Sequence, residues 1–215
     1  NFACLHDAEA ETWTPGRGKV CEKGKDGEVW QWCRACGRWV LDAAGFDSER
    51  PTYVICHGHA NSIDEEWIAE MAEALPQEAN VLAVNWGESA DKLLPHDSAW
   101  FIPDVVDRAV RRFRSAFAVR PERTTFIGHS HGAHVAANIV FDLGQDVPVA
   151  RFVGLDTSTD EFGVHEWNFK VVSWLPYETV SYGPDRWLDA IKSRCSQVEF
   201  YKTSWIMSLT REKAY

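Results

Sequence analysis

One serine in this sequence stands where covalent chemistry is feasible: Ser130, in Gly128-His129-Ser130-His131-Gly132. A serine hydroxyl is a weak nucleophile, so it must be presented to a base that takes its proton. A sharp turn from strand to helix does this by pushing the side chain out above a sheet. Glycine at both flanks lets the turn close and lets the helix pack against the strands. The sequence supplies that context. Thr124-Thr125-Phe126-Ile127 reads as a strand running into Gly128, and Ala133 to Leu143 reads as a helix leaving Gly132. Ala133, Ala136 and Ala137 are small enough for that helix to lie close to the sheet. The competing reading is a chance motif in a loop, and the flanking strand and helix weigh against it.

Asp156 follows Arg151-Phe152-Val153-Gly154-Leu155, a further apolar run read as a strand, and lies 26 positions after Ser130. That separation accommodates one helix and one strand. A carboxylate there suits a group that orients a histidine and stabilises its imidazolium. A carboxylate capping the loop after the strand is the alternative. His57-Gly58-His59-Ala60-Asn61 follows Tyr53-Val54-Ile55-Cys56, again an apolar run ending in polar residues.

The elements that must position these groups alternate along the chain. After the Tyr53–Cys56 strand, Ser62 and Glu65 have the spacing of a capping box. The helix they open carries Trp67, Ile68, Met71, Ala72 and Leu75 on one face and stops at Pro76. Val81 to Val84 is the next strand. A second helix follows Pro103, with Val105, Val106, Ala109, Val110, Phe113 and Phe117 on its buried stripe and Arg108, Arg111, Arg112 and Arg114 on its wet side. Val198 to Tyr201 is a fifth strand. Alternation of this kind predicts an α/β fold: a mostly parallel sheet flanked by helices on both faces. Ligands in such folds bind beyond the carboxyl ends of the strands, which is where His57, Ser130 and Asp156 all fall.

Composition narrows the function classes. With 215 residues the chain holds one sizeable core. A formal net charge of −10 repels phosphate backbones, so nucleic acid is not expected as a partner. No apolar run approaches the roughly 20 residues of a membrane helix. No signal peptide is visible ahead of the fold, which leaves a removed leader or a fragment. Residues 1–50 read as a separate cysteine-containing extension, made of cross-linked loops and a short strand around Trp39 and Val40. They carry Cys4, Cys21, Cys33 and Cys36, four of the six cysteines. Disulfides, and with them a secreted protein, are the expected use. A structural zinc at Cys33-x-x-Cys36 is the alternative.

The ordered series Tyr53–Gly58, Val81–Trp86, Phe126–His134 and Val153–Asp156 resembles the pancreatic-lipase family of α/β hydrolases, over roughly residues 51–205. The resemblance implies an α/β-hydrolase core at 51–215, lacking its C-terminal part, and a carboxylic-ester or lipid substrate. It assigns Ser130 as nucleophile and Asp156 as triad acid. The backbone amides of His59 and His131 become the oxyanion hole, and no cofactor or catalytic metal is implied. The family usually has apolar residues where His59 and His131 stand. Residues 157–196, rich in aromatics, read as a cap that packs on itself, lines an acyl pocket, or both.

The triad histidine is the gap. In the family it comes late, whereas the last histidine here is His165, nine positions past Asp156. His57, His59, His129, His131 and His134 sit on the turns themselves, and His6 and His96 lie elsewhere in the chain. The expected base therefore lies beyond Tyr215, on a missing segment or a second polypeptide. Two further readings stay open. One is a non-catalytic binding protein on a hydrolase scaffold. The other is a metal-dependent hydrolase, since His57-Gly58-His59 resembles the metal-binding strand end of metallo-β-lactamase-like enzymes. Asn61 and Ser62 stand where that site needs two more ligands, which leaves a metal under-coordinated.

Overall fold

The computed structural model describes residues 25–91, 102–157 and 191–201 in full, and the strands at 167–170 and 179–182 as backbone. Cys4, Cys21, His6, His96 and His165 lie outside the described residues, together with most of the aromatic segment 157–196.

Seven strands form one sheet. β1 (Glu28–Cys33) and β2 (Arg38–Val40) make a hairpin, followed by β3 (Thr52–Cys56) and β4 (Asn80–Asn85). β5 (Thr124–His129), β6 (Arg151–Leu155) and β9 (Val198–Tyr201) complete it, in the order β2-β1-β4-β3-β5-β6-β9. The strands from β4 to β9 run parallel, whereas β1 is antiparallel to both β2 and β4. A separate antiparallel pair joins β7 (Trp167–Lys170) to β8 (Thr179–Tyr182).

The helices are α1 (Glu66–Ala74), the single turn α2 (Gly87–Ala90), α3 (Ile102–Arg112) and α4 (Gly132–Leu143). Side chains alternate across the pleat, so each central strand feeds two cores. Val54, Leu82, Val84 and Phe126 pack with α3 and α4. Trp30, Trp32, Ile55, Val81 and Ala83 pack with Ile68, Ala69 and Ala72 of α1. The helical stripe read from Trp67 to Leu75 is thus the buried face of α1.

Two local expectations are corrected. Ser62 and Glu65 do not form a capping box: Glu65 is the N-cap and makes no side-chain cap bond. The Ser62 hydroxyl instead accepts from the Asp64 amide at 3.2 Å, two residues on, which closes a turn before the helix rather than capping it. The second correction is larger. Residues 28–33, read as loop, are a strand in the interior of the sheet, paired with β4 from Glu28↔Asn85 to Gln31↔Leu82. Val29 faces one core while Trp30 and Trp32 face the other. Burial of both faces outweighs the charged, cysteine-rich surroundings that suggested a loop.

The hairpin also reaches helix α1. The Trp32 indole donates to Glu73 at 2.7 Å, and the Arg34 guanidinium donates to the carbonyls of Leu75 (3.1 Å) and Pro76 (3.0 Å). The same guanidinium reaches the Glu73 carbonyl at 3.4 Å, so a cation sits at the C-terminal end of α1, where it complements the dipole. At the β1–β2 turn the sulfurs of Cys33 and Cys36 lie 2.8 Å apart.

Candidate active site

Strand β3 has β4 on one side and β5 on the other, so the chain winds outward in both directions from it. The crevice at the carboxyl ends of β3 and β5 is the switch point of the sheet, where such folds bind ligands. Three turns line it: His57–Asn61 after β3, Ser130–His131 after β5, and Asp156–Thr157 after β6.

The elbow is built under strain. Ser130 has φ 51°, a left-handed conformation that a residue with a β-carbon rarely takes. Its amide donates to the Leu155 carbonyl at 2.9 Å, and the Ala133 amide donates back to the Ser130 carbonyl at 3.1 Å. Both glycines of the motif are required sterically. A β-carbon on Gly128 would lie 2.3 Å from the Ala133 Cα, and one on Gly132 would lie 2.1 Å from the His57 carbonyl oxygen. The turn after β3 and the start of α4 therefore touch, backbone to backbone.

Asp156 takes the same strained form, with φ 44°, at the end of the neighbouring strand. Gly128↔Gly154 and His129↔Leu155 are register partners, so Ser130 and Asp156 leave adjacent strands at the same level. The Asp156 amide donates to the Tyr201 carbonyl at 2.8 Å, which ties it to β9. Neighbouring strands lie about 4.8 Å apart. The two turns thus leave the sheet side by side.

His57 fixes the first turn. It is buried, and its ring stacks on Trp86 at 5.4 Å. The Trp86 amide donates to His57 Nε2 at 3.2 Å, so that nitrogen carries a lone pair. The proton is therefore on Nδ1, which donates to the Gly58 carbonyl at 3.1 Å. That carbonyl also accepts from the Asn61 amide at 3.3 Å. A trans peptide sets C=O and N–H in opposite directions, so holding the Gly58 carbonyl orients the His59 amide. The Trp86 indole donates to the His57 carbonyl at 2.7 Å and secures the other side of the turn. Sequence reasoning left Trp86 out, because nothing in a tryptophan after a strand marks it as a clamp.

The support extends to the hairpin. The Ala60 amide donates to the Ala90 carbonyl at 2.8 Å, at the end of α2. The Asp26 carboxylate caps α2 by accepting from the amides of Glu88 (3.1 Å) and Ser89 (3.3 Å), and from the Ser89 hydroxyl. Asp26 shortly precedes the strand that sequence reasoning missed. Residues before position 50 thus help to hold the turn after β3.

His131 is the N-cap of α4, where helical amides lack intrahelical partners and the dipole favours negative charge. Its amide and that of His59 sit at the two turns that Gly132 brings into contact. The rings of His59 and His131 are 5.9 Å apart, and His134 follows at 5.3 Å from His131. Burial, and then the neighbouring His59, lowers His131 to about 4. Burial, and then His131, holds His134 well below the usual histidine range. His129 is also lowered by burial, against the opposing pull of the Asp156 charge. Among the described residues, no three histidine, cysteine, aspartate or glutamate side chains converge to hold a metal.

Burial also lowers His57 from 6.5 to about 4. Below pH 6.5 the unfolded chain binds a proton at this histidine that the folded chain refuses, so stability falls as the pH drops toward 4. The full effect is about 3 kcal/mol at 1.36 kcal/mol per pH unit. Urea unfolding between pH 7 and pH 4 checks this. His57→Gln should lower stability at pH 7 but flatten the acid slope by nearly one proton; an unchanged slope contradicts the buried neutral ring.

The Lipase family model matches residues 31–170. The chain is similar to pancreatic triacylglycerol lipase of Myocastor coypus, at 32% identity over 54% of this chain and 26% of that protein. It is also similar to inactive pancreatic lipase-related protein 1 of Homo sapiens, at 29% identity over 54% of this chain and 25% of that protein. It spans about a quarter of the length of these curated relatives. Among solved structures, S-formylglutathione hydrolase from Staphylococcus aureus aligns with a TM-score of 0.49 at 12% identity, over 86% of this chain and 81% of that one.

Proposed function

We propose that this chain, which belongs to the lipase family, hydrolyses carboxylic esters through an acyl-serine on Ser130. The observation that carries the reading is the strained strand–turn–helix at Ser130, with Asp156 leaving the adjacent strand at the same level. In the reaction, the Ser130 oxygen attacks the ester carbonyl while a histidine takes its proton. The amides of His59 and His131 hold the oxyanion. Collapse breaks the bond to the alcohol, which leaves with the proton from the imidazolium. Water, deprotonated by the same histidine, then releases the acid and frees the serine. Asp156 orients the imidazole and stabilises its charged form.

The base in this proposal comes from outside the described residues. Both ring nitrogens of His57 are engaged, by Gly58 and Trp86, so it is not available for proton transfer. A segment beside β9 would bring an imidazole toward Asp156, whose amide is already tied to Tyr201. The proposed substrate is an ester or lipid of unassigned acyl length. Disulfides among Cys4, Cys21, Cys33 and Cys36, and a secreted protein, belong to the same proposal. Thiol counting in denaturant, before and after reduction, should reveal at least two oxidised cysteines; six free thiols would contradict it.

A non-catalytic role is the second reading, favoured by the similarity to a relative named inactive. Reaction with a fluorophosphonate probe separates the two. Ester hydrolysis requires one adduct on the peptide containing Ser130, whereas an intact protein that takes no label supports the binding role.

A further inference from the structure

We propose that His59 and His131 form a two-imidazole site for a borderline divalent transition metal of the zinc(II) class, at the mouth of the candidate active site, and that the bound metal inhibits the hydrolase. The inhibitory half rests on the reading of Ser130 given above; the metal site does not.

The two rings come from different turns, one after β3 and one at the start of α4. Both are half-buried, and they lie 5.9 Å apart with planes inclined at 56°. Zinc binds imidazole nitrogen at about 2.0–2.1 Å, so two rings sharing a tetrahedral ion have centroids about 5 Å apart. The observed centroid spacing exceeds that of such a pair by less than about 1 Å. The backbone behind each ring is fixed: the β3 turn by His57 and Trp86, and His131 by the helix it caps. His134 is buried 5.3 Å behind His131 and limits retreat of that ring.

Imidazole selects zinc, copper and nickel over magnesium and calcium, which prefer oxygen. No third histidine, cysteine or carboxylate among the described residues completes the sphere, so water fills the remaining positions. Such a site binds reversibly rather than as a structural core. The net charge of −10 raises the local concentration of cations. The inhibitory half rests on the backbone. The amides of these same two residues are the proposed oxyanion donors, so an ion joining their side chains would lock the two turns that must seat the ester carbonyl.

The test titrates zinc chloride into the wild-type chain and into His59→Gln and His131→Leu, by calorimetry. Each substitution is expected to weaken zinc binding at least about tenfold, since each removes one of two protein ligands. Nitrogen NMR of the wild-type imidazoles is a check that needs no variant: substoichiometric zinc should shift the rings of His59 and His131 first. Equal affinity in all three proteins, or shifts confined to other histidines, overturns the site. Zinc bound at the pair with ester turnover unchanged overturns the inhibition. Turnover is read on the protein together with the segment that supplies the histidine; if that assembly is silent toward esters before zinc is added, the serine-hydrolase reading fails instead, and calorimetry on the chain still decides the metal site.

Discussion

Ser130→Ala is expected to lower ester turnover by on the order of 10⁴-fold or more, because members of a catalytic triad act as a unit. The loss is expected on kcat, since the substitution leaves the proposed oxyanion donors, the amides of His59 and His131, in place. The fluorophosphonate label should vanish with it. Stability should change little, because the substituted alanine must adopt the same left-handed backbone as the serine. Ser130→Gly makes the sharper comparison. At φ 51° glycine carries no β-carbon penalty, so this variant should be equally inactive yet more stable by about 1 kcal/mol. A folding site would show stability and activity falling together. Turnover unchanged in Ser130→Ala would end the acyl-serine mechanism outright.

The parts of the fold legible in the sequence are those where one signal dominates. Arg151–Leu155 and Val198–Tyr201 are strands over the residues read as strands from the sequence. The apolar run Phe152–Leu155 marks a largely buried parallel strand, whereas Val198–Tyr201 is an edge strand that carries Glu199 and exposes Phe200 and Tyr201. The strand Glu28–Cys33 was hidden because its signal is mixed. It sends Val29 to one core and Trp30 and Trp32 to the other, with the polar Gln31 between them and cysteines and charges around the strand. Two tryptophans at period two were the available clue. Ser62 and Glu65 failed for a different reason. The spacing of a capping box is satisfied equally by a turn one residue before the helix, and only the backbone path decides between them.

The candidate site divides in the same way. The placement of Ser130 and Asp156 just past strand ends was legible because each follows a run read as a strand, and ligands in such sheets bind there. The supports were not. Trp86 and Asp26 act through an indole nitrogen and a carboxylate that meet backbone groups distant in sequence, and no local pattern encodes such pairings. The strain at Ser130 and Asp156 is likewise invisible in one dimension, since either residue type is ordinary in a loop.

Gly132→Ala is the second large effect, and it probes the joint between the two turns rather than the nucleophile. The added methyl would lie 2.1 Å from the His57 carbonyl oxygen and 2.3 Å from that of Cys56. Both are backbone atoms, at the end of a strand paired on both sides, so neither can rotate away. The elbow and the β3 turn must separate. That moves the amides of His59 and His131 relative to each other while leaving Ser130 chemically intact. Loss of one oxyanion donor typically costs about 10²–10³-fold in kcat, and displacement of the pair should reach at least that range. Overpacking should also cost about 1–3 kcal/mol in stability. Gly37→Ala is the control: its φ of 61° is strained for alanine, but nothing lies within 4 Å of the added carbon. It should lose about 1 kcal/mol of stability and keep its turnover. If Gly132→Ala stays folded with turnover and probe labelling equal to that control, the contact between the turns does not align an oxyanion hole at His59 and His131.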